Sequence, residues 1–190
     1  MEKGTLGYIK AYKKRYGTLS LLLFLVIVAM VVGIYLILGS IKHIAVVVPI
    51  LLTLPFSKVF ILWVMVAKYK TLNQEEASGI NSMTDGRKNC FVLYDMALSS
   101  YESVSYASCI VVDQEKIYLL WGGATQKEYT KENQRAYVQE VAEKTGCSYE
   151  VISVNSVDEL LQQMETAELS EEDMSISDDR IRQRLLEISM

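Results

Sequence analysis

Two long apolar runs dominate the first third of the chain. Residues 19–38 contain no charged side chain, and a second run covers residues 44–67 after a break of only five residues. At a rise of about 1.5 Å per residue, each run is long enough to cross the roughly 30 Å hydrocarbon core of a bilayer. The pattern therefore predicts a two-helix transmembrane hairpin over residues 18–69, with helices at 19–38 and 44–67.

The second apolar run contains three residues that are unusual for a membrane helix, namely Pro49, Pro55 and Lys58. Lys58 lies nine residues before Ala67, about 13 Å from the end of a straight helix. A charge at that depth costs about 2.5–3.5 kcal/mol on insertion scales. Neither span contains a carboxylate, so an ion-pathway or helix-packing role for Lys58 requires a partner from another protomer or subunit. Alternatively, Pro55 begins a separate helix over residues 56–69, and Lys58 snorkels toward water from its first turn.

A polar segment, residues 70–90, follows the hairpin. Thr71 is a candidate cap for a short helix that extends to Met83, because Glu75 and Glu76 favour a first helical turn. The Asp85-Gly86 pair then predicts a turn. We interpret the segment as a connector helix between the membrane and the next domain.

Residues 91–168 alternate between strand and helix patterns. Three β-rich segments (91–100, 105–113 and 116–123) precede a helix at 127–144, a strand at 148–154 and a helix at about 156–168. The nearly continuous apolar character of the second and third segments indicates a sheet covered on both faces. The sequence predicts a small α/β domain with the order β-β-β-α-β-α.

The last segment, residues 169–190, is an acidic, serine-rich linker followed by an amphipathic helix at 178–189. Ile181, Leu185 and Ile188 have the i, i+4, i+7 spacing of one helix face. Such a face needs a surface to pack on. It is either a contact with its own domain or an interaction surface for another protein.

The charge distribution orients the hairpin. Residues 1–70 carry nine basic side chains and one acidic side chain, whereas residues 71–190 have a net charge of −12. Because the basic segment 1–17 and the pair Lys68 and Lys70 flank the hairpin, the positive-inside rule predicts a multi-pass protein of the cell membrane with both termini cytoplasmic. Nucleic-acid binding is not expected from the acidic half, since phosphate contacts require a basic stripe. The expected partners are the lipid bilayer and either another protein or a second copy.

Few residues are candidates for catalysis or for binding a metal or cofactor. The spacing of Cys90, Cys109 and Cys147 fits neither a disulfide framework nor a metal site, so buried reduced thiols are expected, with no metal and no cofactor. The single histidine, His43, lies in the hairpin turn, away from the domain.

The candidate catalytic residues are therefore Asp95 and Asp113. Asp95 is alone on an apolar strand, where it is either a buried group with a structural partner or part of an active site. Asp113 falls in the turn before the third strand, where a solvated charge is the ordinary expectation.

The chain carries two resemblances to known families. The segments CIVVDQEKIYLL (109–120) and VISVNSVDELLQQM (151–164) resemble the NERD type of PD-(D/E)xK nuclease-like core. That resemblance implies metal-assisted hydrolysis by an acidic residue on the second strand and an E-x-K motif on the third, but KIYLLWGG has neither the glutamate nor the following lysine. With GTLGYI near its start and RLLEISM at its end, the whole chain resembles a group of uncharacterised bacterial two-pass membrane proteins.

Three functional hypotheses follow. The first is a membrane-anchored, non-catalytic α/β binding or scaffold protein at the cytoplasmic face. The second is a membrane-tethered, metal-dependent hydrolase that uses Asp95 and Asp113 in an atypical site. The third is a small oligomeric membrane component organised around Lys58. Whether the chain is an enzyme stays open at this point.

Overall fold

A computed structural model describes residues 2–39, 44–87, 90–99, 104–122, 128–145, 149–166 and 176–189. The chain divides into two compact units. One unit is the hairpin, Ile9–Lys68, and the other combines Met1–Tyr8 with Tyr69–Met190. The short segment before the hairpin therefore belongs to the same unit as the α/β sheet.

The hairpin unit consists of two helices. Helix α1 covers Tyr8–Leu38, and a 3-10 turn at Ile44–Val46 leads into α2 at Val47–Ala67. Both helices are long and apolar enough to cross a membrane, and only 6% of the most apolar window of each is buried. The core helix of a soluble protein would be mostly buried. These helices instead expose most of their apolar side chains.

An aromatic row joins the two helices. The ring of Phe24 on α1 lies 6.0 Å from that of Phe56 on α2, and the row continues through Phe60 to Trp63 at spacings of 5.7 and 5.9 Å. Near its end, a Cβ added to Gly17 would lie 2.9 Å from the Trp63 ring nitrogen. A glycine is therefore needed at this point for the helices to approach.

The structure corrects the interpretation of α2 as a broken helix. Pro55 lies inside a continuous helix that runs from Val47 to Ala67, so it does not begin a new one. Pro49 lies in the first turn, where its missing N–H has no helical partner to lose. Pro55 costs one backbone hydrogen bond, but a complete break would leave several backbone groups without helical partners. Continuity is therefore the less costly arrangement.

The second unit is built on a four-stranded sheet with the order β1-β2-β3-β4. Its strands are β1 at Cys90–Ser99, β2 at Val104–Asp113, β3 at Lys116–Trp121 and β4 at Glu150–Val154. The pairs β1–β2 and β2–β3 are antiparallel, and β3–β4 is parallel. A parallel pair needs a crossover, which α4 at Glu128–Glu143 supplies.

Helices cover both faces of the sheet, as the apolar strands predicted. Helix α4 and the final helix α6, Ile176–Ile188, pack on one face. Helices α3, Gln74–Thr84, and α5, Val157–Thr166, pack on the other. The predicted α/β class and the order β-β-β-α-β-α are confirmed, and the segment interpreted as a connector is a packed helix of the sheet unit.

The edge formed by β4 is closed by side chains of α4. The Gln139 amide donates to the Tyr149 carbonyl at 2.8 Å and accepts from the Val151 N–H at 3.2 Å. The Arg135 guanidinium donates to the Val151 carbonyl at 3.0 Å. These bonds occupy backbone groups that would otherwise pair with an added strand.

The opposite edge, β1, is covered by both ends of the chain. The Tyr94 N–H donates to the Gly4 carbonyl at 2.9 Å, and Leu98 forms an antiparallel bridge with Ser189. The Lys3 ammonium donates to the Ser189 carbonyl at 2.8 Å, which joins the two terminal segments. Both edges of the sheet are therefore partly occupied from within the unit.

Candidate functional site

The most distinctive feature of the sheet is an irregularity at Asp95. Asp95 has a φ of 54°, in the left-handed region that non-glycine residues seldom adopt. On β1, Leu93 faces the α4/α6 side, but beyond Asp95 it is Met96 that faces this side. Residue 95 therefore shifts the alternation by one position, and it brings Tyr94 and Asp95 to the α3/α5 face together.

The neighbouring strand makes the same shift at the same level. Tyr94 pairs with Cys109 and Met96 pairs with Ala107, so Asp95 and Ser108 lie opposite each other. The pairing of β2 with β3 also changes register between Ala107 and Cys109. The alternation of side chains between the two sheet faces shifts by one residue in both β1 and β2. The register of the β1–β2 pair is therefore the same before and after the irregularity.

Two hydroxyl groups hold the Asp95 carboxylate. Tyr106 donates to Oδ1 at 2.5 Å, and Thr71 donates to Oδ2 at 3.2 Å. Asp95 is 2% exposed and Tyr106 is fully buried. We call Asp95, Tyr106, Thr71 and Tyr69 the Asp95 cluster.

Tyr69 completes the cluster by covering the ring of Tyr106. The two rings stack with centroids 4.7 Å apart, and the Tyr69 hydroxyl donates to the Val104 carbonyl at 3.3 Å. Gly122 packs so closely against Tyr106 and Ser108 that an added Cβ would overlap both side chains. The cluster is therefore closed by packing as well as by hydrogen bonds.

Thr71 does not cap α3 as predicted. The cap is Asn73, whose backbone N–H donates to the Glu76 side chain at 2.9 Å in a capping box. This arrangement leaves the Thr71 hydroxyl for Asp95. The sequence prediction was wrong by two residues because Asn and Thr are both good caps, and only the tertiary contact decides between them.

The environment keeps Tyr106 in its protonated form. Burial raises the pKa of the Tyr106 phenol well above its ordinary value of 10, and the hydrogen bond to Asp95 and the carboxylate charge raise it further. A neutral phenol can donate to the carboxylate, whereas a phenolate cannot. The geometry and the protonation state are therefore consistent with a structural hydrogen bond.

The segments that adjoin the hairpin meet neighbouring residues of β1. Gly4, four residues before α1, accepts a bond from Tyr94, and Thr71, four residues after α2, donates to Asp95. The Tyr94 hydroxyl also donates to the Asn81 side chain of α3 at 2.7 Å. Tyr94 and Asp95 thus bind both segments of the sheet unit that adjoin the hairpin in sequence.

The second candidate carboxylate, Asp113, is in another part of the sheet. It lies opposite Cys90, five residues along β1 from Asp95, which corresponds to about 16 Å. Ligands of one metal ion lie within about 2–2.5 Å of it, so the two carboxylates do not share a metal site. Within the described ranges, no group of three or more His, Cys, Asp or Glu side chains could hold a metal ion.

Asp113 instead forms an ion pair with Arg87 at 2.5 Å. The same guanidinium donates to the Met164 carbonyl at 2.6 Å, so Arg87 links the end of β2 to the last turn of α5. The side chains of Arg87 and Asp113 are 12% and 4% exposed. The expectation that Asp113 lies in a solvated turn was wrong, since the turn consists of residues 114 and 115.

The cysteines lie on the α3/α5 side. Cys109 is buried and Cys90 is half-buried, and both are free thiols. Burial and the nearby Asp113 raise the pKa of Cys90 to about 12, and burial also raises the pKa of Cys109. Nucleophilic thiolates are therefore disfavoured at both positions near neutral pH. Cys147 lies outside the described residues, as does His43.

The predicted interaction stripe on α6 packs inside the unit. Ile181 and Leu185 are fully buried in the core formed by β1, β2 and α4, and Ile188 packs against it. Of the two alternatives, the stripe contacts its own domain. The other alternative, an interaction surface for another protein, does not hold for Ile181 and Leu185, because the apolar sheet face that they cover buries them.

Lys58 lies on the outer surface of the hairpin. It is exposed in the interior of α2, on the side away from the aromatic row. Among the residues that the structure describes, Lys58 belongs to no ion pair. The exposure of Lys58 is consistent with a contact outside the unit.

The sequence did not single out Tyr69, Thr71 or Tyr106 as partners of Asp95. A usable signal was present, since Ser105, Tyr106 and Ser108 are polar residues at the start of a strand that is otherwise mostly apolar. Tyr69 and Thr71 carried no comparable signal, because a polar linker is expected after a membrane helix.

Comparison with protein-family models, with curated proteins and with solved structures found no match to this chain. The resemblances to a nuclease-like core and to bacterial two-pass proteins gain no support from these comparisons. The functional conclusion therefore rests on the geometry itself.

Proposed function

We propose that this chain is a membrane-anchored, non-catalytic α/β binding or scaffold protein that works at the cytoplasmic face of a cell membrane. The observation that carries the proposal is the enclosure of the Asp95 carboxylate. It is 2% exposed and is held by the hydroxyls of Tyr106 and Thr71. A carboxylate that activates water or binds a metal must reach an open cleft, whereas this one stabilises the fold.

The position of the anchor supports the same proposal. Both apolar helices expose most of their surface, which suits lipid contact. The basic residues of segment 1–17, most of which lie in the first two turns of α1, and the lysines that follow α2 favour the cytoplasmic side for both ends. With this topology, the sheet unit lies in the cytoplasm.

The partly occupied edges of the sheet restrict how a partner can bind. Strand addition is disfavoured because α4 side chains occupy β4, and the terminal segments occupy β1. We therefore place the partner on an outer helical surface. The net charge of −12 over residues 71–190 favours a partner with a basic surface.

Photo-crosslinking in native membranes tests the proposal. A benzophenone amino acid replaces Ser78 on α3 or Glu132 on α4, which are exposed positions on opposite sides of the sheet. The same probe at the exposed Leu36 of α1 serves as a control for lipid contact. We expect a discrete protein adduct from Ser78 or Glu132 that is absent from the Leu36 sample.

Two results would contradict the proposal. One is the lack of any protein adduct from both domain positions. The other is a metal-dependent hydrolysis by the purified full-length chain that the conservative substitution Asp95→Asn abolishes without unfolding it. Either result would move the function away from binding and, in the second case, toward catalysis.

A further inference from the structure

Lys58 is near the middle of the second membrane helix. It follows Val47 by eleven residues and precedes Ala67 by nine, so about 16 Å and 13 Å of helix separate it from the two ends. In a hydrocarbon core of roughly 30 Å, both ends are far from the charge. An apolar membrane anchor does not require a lysine at this depth, so the presence of Lys58 needs a separate explanation.

The face that carries Lys58 does not contact α1. Successive residues turn by about 100° around a helix, so Lys58 is about 160° from Phe56 and from Phe60, which belong to the aromatic row. Lys58 is accordingly exposed. Its partner must come from outside the hairpin.

Lys58 is the centre of an apolar seam. Leu51, Leu54 and Ile61 join it at steps of three, four and three residues, and they are 59%, 69% and 56% exposed. This is the spacing by which one helix packs along another. We call these four residues the Lys58 seam.

The charge of Lys58 excludes a second copy of the hairpin as the helix that packs on the seam. Residues 9–67 contain no aspartate or glutamate. A second copy that packed symmetrically on the seam would place one lysine against another in a medium of low dielectric constant. The complementary group must come from a different chain.

The direction of the side chain disfavours lipid phosphate as the partner. In a helix the Cα–Cβ bond tilts toward the N-terminus, which here points Lys58 to the more distant end of α2. The four-carbon stem of lysine is shorter than either distance to the helix ends. Snorkelling would leave the ammonium inside the hydrocarbon.

We propose that the Lys58 seam binds a membrane helix of another protein that carries an aspartate or glutamate near the middle of its span. The ion pair would offset the cost of inserting each charge, and the apolar seam residues would supply the packing. The inference rests on the proposed scaffold function and names one of its partners by chemical class.

The test uses the full chain in native membranes, with a benzophenone amino acid at Leu54. We expect an adduct to a protein whose apolar span contains a carboxylate. Lys58→Leu should reduce the adduct at least tenfold. Thr53→Leu is the matched control, because it also replaces a polar residue of α2 by leucine but lies outside the seam, and it should leave the adduct unchanged.

Charge exchange then identifies the contact. Lys58→Glu should abolish the adduct, and a lysine in place of the partner's carboxylate should restore it in the same chain. An adduct to lipid alone, an adduct between two copies, or one that Lys58→Leu leaves intact would overturn the inference. If adducts from Ser78 or Glu132 persist in that case, the Lys58 partner is excluded and the proposed binding function stands.

Discussion

At the scale of single residues, Asp95 combines an unfavourable backbone with favourable side-chain contacts. A left-handed conformation costs an ordinary residue about 1–2 kcal/mol, although aspartate and asparagine enter it more readily than most. The two hydroxyl donors from Tyr106 and Thr71 offset this cost. The irregularity in β1 persists because these side chains fix it.

The hydrogen bond from Tyr106 can be tested directly. Tyr106→Phe keeps the ring but leaves a buried carboxyl group with one donor fewer, so we expect a loss of about 1–3 kcal/mol in the free energy of unfolding. Tyr137→Phe on α4, where the tyrosine is half-buried, should change it by less than about 0.5 kcal/mol. Urea denaturation in detergent micelles, followed by circular dichroism, measures both. Equal effects would contradict the role given to the hydroxyl.

A pair of glycines tests the packing around the cluster. Gly122→Ala places a methyl group against Ser108 and Tyr106, and we expect it to destabilise the sheet unit by about 1–3 kcal/mol. Gly79→Ala meets no atom within 4 Å inside α3, and it should stabilise by about 0.5–1 kcal/mol through helix propensity. The same denaturation measurement compares them. A Gly122→Ala chain as stable as the unmodified one would show that the packing is looser than described.

Sequence reasoning found the central residue of the site but not its surroundings. Asp95 was conspicuous because it is a charge in an apolar strand. Its donors were not, because Thr71 and Asp95 are 24 positions apart, and their contact depends on how α3 crosses the sheet. Local patterns carry no information about such a contact.

At the scale of elements, α6 shows how an apolar stripe finds its surface. Ile181 and Leu185 complete the core on the α4 side of the sheet, and Ser189 pairs with β1 directly after them. The sequence predicted the stripe correctly. It left open whether the stripe faced its own sheet, since the apolar residues of β1 and β2 that α6 covers lie far earlier in the chain.

Substitutions on α6 separate the two uses of such a helix. Leu185→Ala removes a fully buried side chain and should cost about 2–5 kcal/mol of stability. Gln183→Ala is the control on the exposed side of the same helix, and it should cost less than about 0.5 kcal/mol. Thermal unfolding of both variants gives the comparison. A Leu185→Ala chain that keeps its stability but loses a partner adduct would mean that α6 is a binding surface after all.

Helix α2 shows where local rules mislead in a long apolar run. Two prolines so close together, Pro49 and Pro55, predict a break by the rules for soluble proteins. The helix nevertheless continues through Pro55. A continuous helix leaves the fewest backbone groups unpaired, which is the arrangement that a membrane span would require.

At the scale of the whole molecule, the polarity pattern predicted most of the architecture. The two long apolar helices, the element order β-β-β-α-β-α and the cover on both sheet faces were predicted from the pattern of apolar and polar residues. The cover on the sheet edges was not predicted, because at β1 it depends on Gly4 and Ser189, which lie far in sequence from the residues that they contact. Contacts between residues that are distant in the chain are the part of the structure that a single sequence predicts least well.

The buried titratable groups of the sheet predict sensitivity to alkali. The pKa of Cys90 is raised from 9.0 to about 12, and the pKa values of Tyr94 and Tyr106 are raised above 10. The folded state favours the neutral form of each group, so this stabilisation is complete below the ordinary pKa and is lost as the pH rises through the raised one. We expect constant stability up to about pH 9 and a progressive fall above it.

Substitution of the cysteines tests whether the thiols cause the loss of stability at alkaline pH. In a Cys90→Ala, Cys109→Ala chain the loss should begin near pH 10, because the two thiols no longer contribute and the buried tyrosines of the described residues do. Urea midpoints measured at about pH 8, 9, 10 and 11 in the two chains give the comparison. A midpoint that stays constant across this range in the unmodified chain would contradict the burial of these groups.

The most direct test of the central claim is the partner adduct of an Asp95→Asn chain, measured together with its thermal stability. Asparagine tolerates the left-handed backbone and still accepts from Tyr106, so we expect the adduct from Ser78 or Glu132 to remain and the stability to change little. Leucine does not tolerate the left-handed backbone and cannot accept from Tyr106, so Asp95→Leu should lose both the adduct and the stability. If Asp95→Asn folds normally but loses the adduct or a hydrolytic activity, the carboxylate has a functional role beyond holding the fold, and the central claim is wrong.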